Sequence, residues 1–173
     1  MDLFHLLAEM IDMRSFSNLW YWIVLAIAWS TASHWILGVP FDHVNRARKK
    51  GGQHYQDLET LVRINVARRL HVMDVAGLWL VACVCFALST LAVLGFWFSI
   101  EFAQAVFLIA FPMTVVSLVS LRAAFVIHTD TLTGEALLRR LGQCRLITQM
   151  VGVVSIFVTS LWGMFQNIQI GVL

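Results

Sequence analysis

Six histidines are present, and three of them, His34, His71 and His128, lie where long apolar stretches end, with Asp74 close by. Imidazole is a common metal ligand, and two imidazoles on facing helices can ligate a b-type haem. These three are therefore the candidate cofactor-binding residues. No HxxxH or HxxE spacing places two such groups on one helix. The case rests only on a shared depth, where histidine is also ordinary. Arg122 is the one charged residue well inside an apolar stretch, about six residues from its end, or roughly 9 Å along a helix. Its side chain can reach the interface by snorkelling, pair with Asp74, or meet a partner subunit or a lipid phosphate.

The other reactive side chains carry little. Cys83 and Cys85 are two residues apart and point in nearly opposite directions on a helix, Cys144 stands alone, and no CxxC exists. GxSxG, the P-loop, HExxH and glycine-rich dinucleotide fingerprints are all absent. We read no catalytic residue and no metal site, and expect no cofactor, with haem b as the alternative.

The elements that must position these groups follow from composition. Of 173 residues, 60% are hydrophobic and 13% charged, against about 45–50% and about 25% in ordinary soluble domains. Such a chain cannot cover its surface with polar groups. A net charge of +2 is too small for a nucleic-acid binder. The expected class is an all-α integral membrane protein, one membrane domain over 1–173, because helices satisfy their own backbone in lipid. About 20 apolar residues cross the hydrocarbon, and four stretches qualify, near 19–38, 75–100, 103–127 and 147–169. They predict a four-transmembrane-helix bundle.

Lysine and arginine orient it. One basic residue, Arg14, precedes the first span; seven lie in the first connection and three in the third. The positive-inside rule then places both long connections in the cytoplasm and both termini in the periplasm of a bacterial inner membrane. Before the first span, Asp2–Arg14 shows Leu3, Phe4, Leu7, Met10 and Ile11 at helical spacing, predicting an interfacial amphipathic helix with Phe4 and Leu7 as lipid or partner contacts. After it come Arg46, Arg48, Lys49 and Lys50, suited to anionic headgroups or a partner. Leu58, Leu61, Val62, Asn65, Val66 and Leu70 then share one side of a second, cytoplasmic amphipathic helix that can run into the second span, and Glu59 precedes Arg63 by four.

Packing in lipid favours small residues. Each span has a stripe of them: Ala26, Ser30 and Ser33; Ala82, Cys85, Ser89 and Ala92; Ala110, Thr114, Ser117 and Ala124; Gly152, Ser155, Thr159 and Gly163. Pro112 is expected to kink the third span. Trp20, Trp22 and Trp97 mark the outer interface and Trp35 and Trp79 the inner one, while Trp29 and Trp162 lie deeper. Trp20, Trp22 and Trp29 join the candidate lipid or partner contacts.

The strings IDMRSFSNLWYWIVLAIAWSTASHWILGVPFD (Ile11–Asp42), DLETLVRINVARRL (Asp57–Leu70) and GFWFSIEFAQAVFLIAFP (Gly95–Pro112) carry a resemblance. The chain resembles a family of small alphaproteobacterial membrane proteins labelled "component of SufBCD complex". The likeness spans most of the chain and carries no catalytic motif. The label implies a link to iron–sulfur cluster assembly and brings no functional residues. The residues themselves point to a non-enzymatic accessory or assembly subunit of a larger inner-membrane complex, respiratory or photosynthetic, with lipids and other membrane subunits as partners and no nucleic acid. The alternatives are a haem- or metal-binding redox membrane protein and a small channel or carrier.

Overall fold

The computed structural model describes Phe16 and residues 19–171, the last three of these by backbone alone. The expected N-terminal helix, with Phe4 and Leu7, lies outside the described residues. Helix α1 is Leu19–His34. A two-residue strand pair follows, β1 (Trp35–Ile36) and β2 (Val39–Pro40), antiparallel with Trp35 opposite Pro40 and Ile36 opposite Val39. Helix α2 is Phe41–Lys50 and α3 is Gln53–Ala92, which widens into a π turn at Val93–Trp97. Helix α4 is Glu101–Thr129 and α5 is Gly134–Gly171.

Three helices are long and apolar enough to cross a membrane: Gln53–Trp97, Glu101–Thr129 and Gly134–Ile168. The chain is a helical membrane protein. The first expected span, near 19–38, is shorter as a helix. Its 16 residues rise about 24 Å, and it stops at His34 because the chain turns back on itself. Leu37 and Gly38 both take positive φ, 54° and 78°, the combination a two-residue hairpin turn requires. Leu37 is an unusual residue for that conformation, and its side chain is buried to 1% exposure in the core.

The second and fourth stretches are parts of longer helices than the expected 75–100 and 147–169. Helix α3 runs without a break through the stretch read as cytoplasmic, and α5 begins at Gly134. Successive long helices pack side by side, α3 on α4 and α4 on α5, with α1 against α5. At one end, outside the long apolar stretches, lies the main core. The hairpin, α2, the first half of α3, the end of α4 and the start of α5 bury Ile36, Val44, Leu58, Val62, Ala124 and Leu141 together. Phe41, Val44 and Ala47 turn inward from α2, so its basic side chains, Arg46, Arg48, Lys49 and Lys50, are left exposed. Glu59 does not pair with Arg63. Its Oε1 accepts the backbone N–H of Gly134 at 2.8 Å and ties α3 to the first residue of α5.

Of the four small-residue stripes, only that of α5 forms a closed seam. Gly152, Ser155, Thr159 and Gly163 are all buried. Gly152 receives Trp29, and Gly163 receives Phe16. On α1 the inward residues are Leu25 and Trp29, while Ala26 and Ser30 face out. Large side chains thus fill the hollows that small ones leave. The stripe of α3 faces outward, with Ala82, Cys85 and Ser89 exposed.

Pro112 sits inside α4 without ending it. Proline lacks the N–H that would bond the carbonyl four residues back. That carbonyl, of Leu108, accepts a hydrogen bond from the Ser155 hydroxyl of α5 at 3.4 Å. A neighbouring hydroxyl satisfying a freed carbonyl is the solution lipid demands.

Candidate functional site

Four regions could carry function: the two ends of the helix bundle, an apolar groove at mid-height, and the outward face of α3. At the end away from the main core, Gln104 of α4 is 3% exposed and fully engaged. Its Nε2 donates to the Gly95 carbonyl at 2.8 Å, and its Oε1 accepts from Trp162 Nε1 at 2.9 Å and Gln166 Nε2 at 2.7 Å. The π turn brings Gly95 here; a Cβ on it would stand 3.0 Å from the Gln104 backbone nitrogen. Beside this knot, Glu101 Oε1 accepts the Phe16 N–H at 2.8 Å and Trp22 Nε1 donates to the Phe16 carbonyl at 3.0 Å. Tyr21 donates to the Ala105 carbonyl at 3.3 Å. Both polar atoms of the Gln104 amide group have protein partners, so the knot holds α3, α4 and α5 together.

The opposite end is basic. Eleven lysines and arginines of the described residues lie there against six carboxylates, while the Gln104 end has Glu101 alone. A cleft of about 870 Å³ opens between the end of α2 and the starts of α3 and α5, lined by Arg48, Tyr55, Glu135 and Arg139 among others. The Tyr55 phenol is pushed above its ordinary value by burial and by Glu59 and Glu135, with Arg48 opposing. A second groove of about 580 Å³ runs beside it, with Glu59, Arg63 and His128 on its walls. Nearer the long apolar stretches, Cys144 is buried and close enough to Arg69 and Arg140 to feel both charges. Burial raises its thiol nevertheless. Arg145 lies over the Phe41 ring, 4.0 Å from its centroid.

At mid-height, Phe107, Phe111, Pro112, Met150 and Val154 line an almost wholly apolar groove of about 390 Å³ between α4 and α5. The apolar stretch of α3 is the least covered part of the molecule. From Val75 to Trp97 only Gly77 and Gly95 are buried. Trp79, Phe86 and Trp97 are 75%, 75% and 83% exposed, and a shallow hollow lies over Phe86, Ser89 and Thr90.

The sequence-predicted residues distribute as follows. His34, His71 and His128 are all exposed; His34 stands edge-on to Trp35, and only His128 lines the groove beside Glu59. Among the described residues no three His, Cys, Asp or Glu side chains converge as a metal site would need. Arg122 is exposed on α4 and makes no ion pair with Asp74. Trp20 is 71% exposed, and Trp22 is half-buried. Trp29 corrects the expectation of a lipid or partner contact. It is 5% exposed, packed on Gly152, with its indole N–H buried and unpaired. Gln104, the Glu59 bond to Gly134 and the hairpin escaped the sequence reading, though Gln104 and Gln166 are amides near span ends that could have signalled the knot.

No family model matches the chain, and neither a curated protein nor a solved structure matches it.

Proposed function

We propose that this chain is a non-catalytic accessory subunit of a larger bacterial inner-membrane assembly, and that the outward face of α3 receives a transmembrane helix of a different membrane protein. One observation carries this reading. Among the described residues, the longest helix has its apolar stretch largely uncovered, and that face combines large aromatics with Ala82, Cys85 and Ser89. A purely lipid-facing helix has no use for small residues at helical spacing, whereas helix–helix contacts in lipid do, because they let backbones approach. Trp79 and Phe86 lie along one side of this stripe and are 75% exposed, offering large apolar surface to a partner helix.

The fourth crossing is α1 extended by the hairpin, whose about 24 Å falls a little short of the roughly 30 Å hydrocarbon. The concentration of basic residues at the hairpin end supports an orientation with that end in the cytoplasm and both termini in the periplasm. The first half of α3 is the cytoplasmic amphipathic helix, with Leu58, Val62 and Val66 against the protein core and Arg63 and Arg68 in water.

Two native cysteines test this. Cys83 and Cys85 are exposed on α3, and Cys144 is buried. Benzophenone-4-maleimide attached through Cys85 in a Cys83→Ser background and irradiated in native membranes should link the chain to a distinct protein, and Cys85→Ser should abolish that adduct. Recovery of only the uncrosslinked chain, or only of its homodimer, would overturn the reading.

A further inference from the structure

Three arginines at the basic end are partly buried and have no carboxylate. Arg69 lies on α3, one turn beyond Asn65, which donates to the Gly38 carbonyl of the hairpin turn at 3.4 Å. Arg140 and Arg145 lie on α5 on either side of Cys144. All three are neither exposed nor fully buried. Among the described residues none has an acidic side chain in ion-pair contact. The Nε atoms of both Arg140 and Arg145 are buried without an acceptor.

Each of these facts has a cost. A guanidinium withdrawn from water loses hydration that only an opposite charge and hydrogen-bond acceptors replace. The Phe41 ring supplies a π face to Arg145 but accepts none of its in-plane N–H groups. Cys144 lies within the field of Arg69 and Arg140, and could compensate them only as a thiolate. Burial acts against that form more strongly than the two arginines favour it. Among the described residues, therefore, no side chain supplies the counter-charge.

Position narrows what the missing anion is. Arg145 precedes Ile147, where the apolar stretch of α5 starts, by two residues. Arg69 precedes Val75 by six, about 9 Å of helix, which an arginine side chain largely spans. Both reach the depth of lipid headgroups. Planar guanidinium forks bind phosphate oxygens in pairs, and a tetrahedral phosphate offers enough oxygens for two forks from two helices.

We propose that Arg69 and Arg140 bind a phosphate group between α3 and α5, with Arg145 adding to the positive field beside them. Bound there, the phosphate bridges the first and last long helices, which otherwise meet mainly through α4. The site stands independently of the α3 docking face, since it lies outside the apolar stretch of α3.

The test uses the full chain, purified in dodecyl maltoside and stripped of lipid. Native mass spectrometry counts bound dioleoyl-phosphatidylglycerol against dioleoyl-phosphatidylcholine, and thermal unfolding is followed with inorganic phosphate against chloride at equal ionic strength. We expect retention of phosphatidylglycerol over phosphatidylcholine, with Arg69→Gln and Arg140→Gln each weakening it at least tenfold and the exposed neighbour Arg139→Gln leaving it unchanged. Stabilisation by phosphatidylglycerol alone identifies a headgroup as the source; stabilisation by inorganic phosphate as well identifies a free anion. Should a glutamine variant fail to fold, Arg140→Lys keeps the charge and removes the fork, and binding should still fall. Equal binding in Arg140→Lys and the wild type, equal binding in all variants, or no preference for either phosphate form would overturn the proposal.

Discussion

Gly152→Ala is the substitution most sharply constrained by the packing of α1 on α5. A Cβ built on Gly152 stands 2.8 Å from Trp29 Cε3 and 3.2 Å from Cδ2. Carbon atoms in contact rest at about 3.5–4.0 Å, so the indole must retreat by about 1 Å. It has little room to do so, being 5% exposed and wedged against α5. Overpacking of this kind costs about 1–3 kcal/mol, and the middle of that range lowers the folding equilibrium constant about thirtyfold. The assay is unfolding of the chain in mixed micelles with rising sodium dodecyl sulfate, read by circular dichroism. Trp29→Phe removes ring atoms from the clash and also the unpaired indole N–H. The double variant should therefore recover part of the loss, with a coupling of about 0.5–3 kcal/mol. Gly152→Ala unfolding at the wild-type detergent fraction would refute the packing described for Trp29. So would a double variant whose losses simply add.

Further outcomes follow from other contacts. Gln104→Leu strips partners from the Gly95 carbonyl, Trp162 and Gln166. Since such bonds average about 0.6 kcal/mol each in lipid, we expect a total loss of about 2 kcal/mol in the same unfolding assay. Glu59→Ala removes the acceptor for the Gly134 N–H and should cost about 1 kcal/mol, as loss of a helix N-terminal acceptor usually does. Ser155→Ala should cost about 0.6 kcal/mol, while Ser155→Ala with Pro112→Ala restores the backbone donor for Leu108 and should cost less. Burial holds the Cys144 thiol neutral above the ordinary thiol range. In a Cys83→Ser, Cys85→Ser background its alkylation by iodoacetamide should stay slow at pH 8. Because the unfolded chain ionises first, the contribution of this group to stability should fall as pH rises past that range.

The long apolar helices were legible because hydropathy is a property of consecutive residues, and no tertiary information is needed to add it up. The clustering of Leu58, Val62 and Val66 on one side was legible for the same reason, since periodicity is local. The end of α1 was not. Leu37 carries no turn signal, and its positive φ is held by burial in a core drawn from both hairpin strands and four helices. Small-residue stripes marked which helices could approach closely but not what would fill each hollow. The stripe of α5 meets Trp29 and Phe16, whereas Ala82, Cys85 and Ser89 of α3 stay exposed among the described residues. Glu59 illustrates the remaining gap. Its spacing to Arg63 suggested a pair along one helix, yet an uncapped helix start some 75 positions later offered a better donor.

The most direct measurement is affinity purification of the tagged chain from native membranes in mild detergent, resolved on a native gel, for the wild type and for Ser89→Trp on the open face of α3. We expect the wild type to migrate within a large assembly containing other membrane proteins, and Ser89→Trp to remain inserted but run free of it. A wild-type band at the size of one 19.6 kDa chain plus detergent would contradict the accessory-subunit reading, and an assembly that Ser89→Trp leaves intact would contradict the assignment of its docking face to α3.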